Sequence, residues 1–433
     1  MARRRLGRYP AGVLPPPDTS ILFSPLRVGP LTLPNRVWLP AMVTWLSNDA
    51  GEVTPDITKR YIRYARGGAG MVVLEAMGIR DVPSGPLMRI GHDGTIPALR
   101  QLAADVHAQG EVRVIPQVID FLKIARRNPV AALARLEGRH PGCSTWSEAE
   151  LEARLEPREW RDYAWGYRQQ IEDLSLAEVR AIPGLFAAAA RRARLSGFDG
   201  VELHFAHAYT MASFLSATNA RTDTFGGSLE NRLSLALEVV AAVRREVGND
   251  FCVGCRLLGS DDVAGGSTVD DAAFFSVALA AAGLDFISVS RGGRFEDCKR
   301  PAVGHAAYPY TGHSGLLCMP TREFPDAANL DLPATVRTAL RARGRSTPVV
   351  GAGKINRYAV AEAALQDGKL DLVGMARGLL ADPDWPKKVR AGQENTVRSC
   401  LYTNVCEALD RKHLPVRCQL WMKRPDGGMH PPG

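Results

Sequence analysis

The sequence predicts a (β/α)₈ TIM barrel, and three observations carry that prediction. Short apolar runs alternate with helical patterns through eight units between Val37 and Met375, the signature of a closed parallel sheet. Glycine-rich loops, Gly351-Ala-Gly353-Lys354 and Gly374-Met-Ala376-Arg377-Gly378, follow the last two runs, where such barrels commonly build an anion site. His204, His207 and Tyr209 crowd just past the fourth run. Polar groups packed beyond a buried strand are expensive unless they meet a ligand or each other, and the C-terminal ends of barrel strands are where ligands are met.

In order, Val37–Met42 is strand one, Asp56–Ala65 a helix ending near Gly67-Gly68, and Met71–Glu75 strand two. Ile96–Gln109 is a helix, Val112–Val118 strand three and Val201–Leu203 strand four. Ser228–Val247 has apolar residues at helical spacing, with Ser228 as a cap and Gly248 as the stop. Cys252–Leu257 is strand five, Val269–Ala282 a helix and Phe286–Val289 strand six. Leu332–Arg343 is a helix before strand seven at Val349–Ala352, and Tyr358–Gln366 a helix before strand eight at Leu372–Met375. Two segments interrupt this rhythm. Residues 119 to 177 are charged and carry Trp146, Trp160 and Trp165; Arg291–Asp331 is rich in Gly, Pro, Tyr and His. Insertions after strands three and six fall on the C-terminal face, where they can shape a pocket or simply decorate the surface.

The 433 residues are enough for one large core. No run of eighteen apolar residues is present, so no membrane span is expected. Residues 1–20 carry Arg3, Arg4, Arg5 and Arg8 and several prolines but no apolar segment, which reads as a disordered basic tail, not a secretory signal. Those arginines supply half of the formal charge of +8, and the modest remainder gives no ground for nucleic-acid binding. The eight cysteines are scattered and nothing marks export, so reduced thiols in the cytoplasm are expected.

The stretch from Gly200 to Arg232 is the most specific in the chain. It reads Glu202-Leu-His204-Phe-Ala-His207-Ala-Tyr209, then Phe214-Leu215 and Thr222-Asp-Thr-Phe-Gly-Gly-Ser228-Leu-Glu230-Asn231-Arg232. It resembles the Old Yellow Enzyme family of FMN-dependent ene-reductases, and within it the branch of 2,4-dienoyl-CoA reductase and trimethylamine dehydrogenase. Ala208 stands where the family usually has Gly, and Phe225 where it has Tyr. The resemblance runs from residue 21 to about residue 423. It implies that residues 21–395 form an FMN-binding barrel, and that Leu22–Leu26 and Leu31–Arg36 form a short N-terminal hairpin that caps its floor.

An FMN site needs N–H groups and a cation for the phosphate, an amide partner for the pyrimidine edge, positive charge near N1 and O2, and apolar walls. The resemblance supplies candidates for each. Gly353, Lys354, Ala376 and Arg377 match the phosphate loops, Gln117 the pyrimidine partner, Arg256 the charge, and Pro40, Ala41, Met42 and Ala76 the walls. Val43 stands where the family often has Cys or Thr against the flavin. The resemblance also implies roles for the histidines and tyrosine. His204 and His207 would hold the carbonyl oxygen of an activated alkene, and Tyr209 would supply the proton. The implied reaction is NADH- or NADPH-driven reduction of an α,β-unsaturated carbonyl compound. Two other readings stay open: flavin-dependent oxidation of an amine or C–H substrate, and an inactive barrel serving as a binding or scaffold subunit.

Residues 396–433 form a C-terminal extension with Cys400, Cys406 and Cys418. It resembles the iron–sulfur segment of the dienoyl-CoA reductase branch, but Thr403 stands where the second cysteine belongs. Three thiolates could hold a 4Fe-4S cluster with one open iron or a 3Fe-4S cluster; equally, the site is lost and the cysteines remain. In that branch FAD- and NAD(P)H-binding domains follow the barrel, and here they are expected to be absent. Electrons would then come from NAD(P)H directly, or from a redox partner if a cluster is present. A homo-oligomer is compatible with the sequence, which sets no oligomeric state.

Overall fold

The computed structural model describes residues 15–82, 86–296, 299–308, 310–422, 428, 430 and 431. Residues 1–14 of the expected basic tail lie outside the described residues. Residues 15–20 are not a tail: Pro17–Thr19 form a 3₁₀ turn. The Tyr358 hydroxyl donates to the Pro15 carbonyl at 2.6 Å, and the N–H groups of Ile21 and Leu22 donate to the Glu362 carboxylate at 3.0 and 2.9 Å.

β1 (Leu26–Val28) and β2 (Leu31–Leu33) form the antiparallel hairpin. β3 (Val37–Leu39), β4 (Met71–Gly78), β5 (Arg113–Ile119), β6 (Gly200–Phe205), β7 (Cys252–Leu258), β8 (Phe286–Ser290), β9 (Val349–Ala352) and β10 (Leu372–Gly374) close a parallel barrel in chain order, with β10 pairing β3. The hairpin's Val28 and Leu33 are buried with Trp38, Met71, Cys252, Phe286 and Leu372. These lie at the starts of the strands, so the hairpin plugs the barrel floor. Trp38 and Phe286 meet edge to face at 4.8 Å, a geometry that suits the ring quadrupoles. Cys252 is one of these packing residues.

The strands differ from the sequence expectation where backbone chemistry intervenes. The first barrel strand stops at Leu39, before Pro40, which has no N–H for the ladder. Residues 40–43 are thereby left as open backbone at the mouth. β4 runs on to Gly78 and shifts register between Leu74 and Ala76. That bulge changes which face the next residues take. Glu75 turns outward, where it accepts from the N–H and hydroxyl of Thr44 at 2.9 and 2.6 Å, while Ala76 pairs with Gln117 and faces the interior cavity.

The helices start on caps that the sequence provides. Ser175 and Glu178 form a capping box for helix Leu176–Leu195, and the Ser228 side chain accepts the Asn231 N–H at the head of helix Leu229–Val247. The insertion after β5 builds helices Pro129–Leu136, Glu148–Arg154 and Pro157–Trp165 over a small core of Leu136, Cys143, Leu151 and Leu155. The insertion after β8 contains helix Gly312–Cys318. Helix Val405–Arg411, which the sequence reading did not identify, belongs to the C-terminal extension. Among the described residues no helix is long and apolar enough to cross a membrane.

Candidate functional site

The barrel strands end around one cavity of about 200 Å³. Its wall contains Pro40, Ala41, Met42, Ala76, Gln117, His204, His207, Tyr209, Arg256, Gly353, Lys354, Ala376 and Arg377 together. Every residue expected to bind the cofactor or do the chemistry is therefore in one place. A second cavity, of about 460 Å³, adjoins it and shares Val43, Phe121, Tyr209 and Tyr310.

β5, β6 and β7 position the polar floor. Gln117 and Glu202 are register partners, and Gln117 Nε2 donates to Glu202 Oε1 at 2.6 Å. Glu202 is fully buried, its Oε2 has no partner, and burial pushes its carboxyl pKa upward against the pull of the Arg256 charge. His204 pairs in register with Arg256 on β7. Arg256 Nη2 donates to Ser290 Oγ at 3.1 Å, while its Nε and Nη1 are buried without any hydrogen-bond partner. No ion pair to Arg256 exists among the described residues.

The turn after β6 aims the catalytic candidates. His207 and Ala208 take φ of 62° and 56°, the left-handed region that favours glycine and costs other residues free energy. This explains why the family prefers glycine at Ala208 and shows that alanine still makes the turn. The His204 and His207 rings lie 5.1 Å apart and nearly perpendicular, and His204 is 5.5 Å from the Tyr209 ring. His207 Nε2 hydrogen-bonds Ser290 Oγ at 2.8 Å, and His204 Nδ1 is buried without a partner. Burial, then the Arg256 charge, holds both imidazoles well below the ordinary histidine pKa. Both are neutral at neutral pH. Tyr209 has its pKa raised by burial and pulled back by Arg294, whose guanidinium lies 4.3 Å over its ring.

At the end of the cavity formed by the last two strand loops, both cations are engaged by the protein. Lys354 Nζ donates to the carbonyls of Thr321, Arg322 and Phe324, and Arg377 Nη1 to Pro320 O and Asn404 Oδ1. The Tyr402 ring lies 4.7 Å from the Lys354 charge and 4.8 Å from that of Arg377. What this end offers is backbone. Helix Ala376–Ala381 begins here, and the first N–H groups of a helix lack internal acceptors. Gly353 has φ 129°, and a Cβ there would sit 2.9 Å from the Asn329 amide, so the loop accepts only glycine.

These residues fit an FMN. Arg256 Nε and Nη1 and His204 Nδ1 are buried at the cavity without partners, and buried N–H groups without acceptors are costly unless a ligand meets them. An iron–sulfur cluster finds no such support. Among the described residues no three His, Cys, Asp or Glu side chains are grouped to hold a metal. Cys406 lines the cavity and Cys400 and Cys418 do not, while Thr403 Oγ1 donates to Gln419 Oε1 at 2.9 Å. The extension instead closes the cavity with Tyr402, Cys406, Asp410 and Val416.

Sequence reasoning missed Glu202, Ser290, Tyr310 and Arg294. Glu202 was findable, because strand alternation puts it on the same face as His204. Tyr310 and Arg294 come from the irregular insertion after β8, where no periodicity marks an inward residue.

The family model described as NADH:flavin oxidoreductase / NADH oxidase matches residues 21–318 and 320–396. The chain is 32% identical over 391 residues to a metal reductase of Desulforamulus reducens, covering 89% of this chain and 51% of that protein. It is 30% identical over 389 residues to an NADH oxidase of Thermoanaerobacter brockii, covering 89% and 53%. The chain thus spans about half the length of these curated relatives. A 2-naphthoyl-CoA reductase structure superposes with a TM-score of 0.74 at 23% identity, covering 94% of this chain and 57% of that one; this likeness bears on the fold.

Proposed function

The chain belongs to the NADH:flavin oxidoreductase / NADH oxidase family, and from that premise we propose that it is an FMN-dependent ene-reductase that uses NADH or NADPH to reduce an α,β-unsaturated carbonyl compound. The observation that carries this reading is the convergence of His204, His207, Tyr209, Gln117 and Arg256 on one cavity. When bound, FMN supplies hydride transfer from the nicotinamide to the activated carbon–carbon bond.

The residues of the chain do the rest. Arg256, with two free N–H positions, would hold the electron-rich edge of the ring, and Gln117, its amide oriented by Glu202, the pyrimidine edge. Gly353 and the head of helix Ala376–Ala381 would admit the phosphate by backbone N–H groups. Two neutral imidazoles three residues apart would donate to one carbonyl oxygen as charge develops there. The Tyr209 hydroxyl, raised in pKa and so kept protonated, would give its proton to the α-carbon. The Tyr310 hydroxyl donates to it at 3.4 Å, a route for reprotonation from the second cavity.

The test is an anaerobic titration of FMN-reconstituted protein, with iron and sulfide analysis of the same sample. NADH or NADPH should bleach the flavin absorbance, and 2-cyclohexenone should restore it. Failure to retain FMN would end the reading, and bleaching without recovery on any enone would favour the oxidative alternative.

A further inference from the structure

The second cavity holds a charge that the proposed reaction leaves unexplained. Arg294 is 3% exposed, and its one side-chain hydrogen bond is from Nε to the Ala208 carbonyl, at 2.8 Å. Its two Nη atoms make no hydrogen bond and it forms no ion pair among the described residues. The residue lines the cavity beside Tyr209. A guanidinium buried away from water with no acceptor at its Nη atoms is costly unless an anion meets it.

The carboxylates of the cavity do not fill that role. Asp410 is engaged by Trp45 Nε1 at 2.6 Å and the Tyr308 hydroxyl at 3.3 Å. Glu296 accepts the Ser314 N–H at 2.6 Å. Asp120, whose charge also acts on Arg294, is held by Arg80 Nε and Nη2 at 2.7 and 2.8 Å. Among the described residues each of these acids is engaged elsewhere, and the free fork of Arg294 remains.

We propose that Arg294 makes this cavity a carboxylate-binding site, so that the substrate is an unsaturated compound carrying a carboxylate within reach of the bond that is reduced. This rests on the ene-reductase reading for the bond, but not for the anion. A planar guanidinium with two free N–H positions matches a carboxylate in two parallel hydrogen bonds. Its place over the Tyr209 ring sets the anchored group beside the proton donor. The same charge disfavours an amine cation in the cavity, which weighs against the amine-oxidising alternative.

The experiment is calorimetric titration of the FMN-reconstituted protein with benzoate and with benzamide, its neutral isostere, in wild type, Arg294→Gln and Arg294→Lys. Wild type should bind benzoate at least tenfold more tightly than benzamide, the scale of a charge-assisted hydrogen bond. Arg294→Gln should erase that ratio, and Arg294→Lys should keep part of it. A purely structural role for Arg294 would not move the ratio, and the lysine variant serves if the glutamine variant does not fold. Equal binding of the two probes by wild type, or an unchanged ratio in either variant, overturns the proposal. So does a loss confined to NADH or NADPH titrations, which would assign the fork to the phosphates of the nicotinamide cofactor. Benzoate selectivity in a protein that retains no flavin would keep this site and remove the ene-reductase reading instead.

Discussion

Gln117 and Glu202 face each other across β5 and β6, with Gln117 Nε2 donating to Glu202 Oε1 at 2.6 Å. The bond decides which end of the Gln117 amide is left for a ligand. With the amino group committed to Glu202, the amide oxygen is free to accept from the cavity. Glu202→Leu removes the acceptor and leaves the amide free to turn. FMN affinity, read by quenching of flavin fluorescence, should fall by about tenfold or more, the scale of one oriented hydrogen bond to a ligand. Glu202→Gln should fall less, because its amide oxygen can still accept. Equal affinity in wild type and the leucine variant would mean that Glu202 does not orient the site.

Tyr209→Phe separates the two half-reactions. The ring stays to pack against Phe121, 5.4 Å away edge to face, and under Arg294. Only the proton is lost. Reduction of the alkene should slow by about 10² or more, the scale of a missing general acid, with a much smaller effect on flavin bleaching by NADH. Stopped-flow absorbance of each half-reaction checks this, and an unslowed alkene step would take the proton-donor role from Tyr209. Tyr310→Phe should give a smaller slowing, since Tyr310 reaches the substrate only through the 3.4 Å contact between the two hydroxyls.

His204 and His207 set a pH dependence whose sign follows from their surroundings. Both are held below the ordinary histidine pKa, by burial first and by the Arg256 charge second. In the unfolded chain they take up protons near pH 6.5, and in the folded chain only well below that. Their contribution to stability is therefore present above about pH 6.5 and lost as pH falls. Thermal unfolding should move to lower temperature between about pH 7 and 5, and His204→Gln should flatten that slope. The alkene half-reaction should lack a histidine limb between about pH 6 and 8, because both imidazoles stay neutral there. A limb that disappears in His207→Gln would contradict neutral donors.

The barrel was legible because its signal is repetition. Strand β9 and helix Tyr358–Gln366 fall where the apolar runs placed them, and most other elements differ only at their ends. The polar floor was legible where a titratable residue closes an apolar strand, as with Gln117 and Arg256. Three features were hidden for separate physical reasons. The bulge in β4 sends Glu75 outward against simple alternation. The charges of Lys354 and Arg377 are spent on loop carbonyls that no local pattern links to them. Arg294 and Tyr310 enter the cavity from a segment whose course depends on long-range contacts, such as the Gly293 N–H donating to Ser314 Oγ at 2.9 Å. The cysteines of the extension point to a cluster by spacing; among the described residues Cys406 stands at the cavity wall and Thr403 bonds to Gln419.

Glu75 joins the open backbone under the cavity to the barrel wall, and its protonation should govern how firmly. Its carboxyl accepts both the N–H and the hydroxyl of Thr44, next to Val43 at the cavity, and the Thr44 carbonyl accepts from Val416 in the C-terminal extension at 2.9 Å. Burial raises the Glu75 pKa to about 7, against the hydrogen bonds from Thr44 that pull it down. A carboxyl raised in the fold binds its proton more tightly than in the unfolded chain. Its contribution is therefore fully present below about pH 4.5 and is lost as pH rises through about 7, a difference of about 3 kcal/mol across that window. The direction is opposite to that of the two histidines, so the variants separate them. Glu75→Gln removes the titration. It should lose stability at pH 5, where the protonated acid is the better fit, and lose less or gain at pH 8, where wild type carries a buried charge. Thermal unfolding at the two pH values reads this directly. A wild-type to Glu75→Gln difference that is the same at both would mean that Glu75 does not titrate in this window.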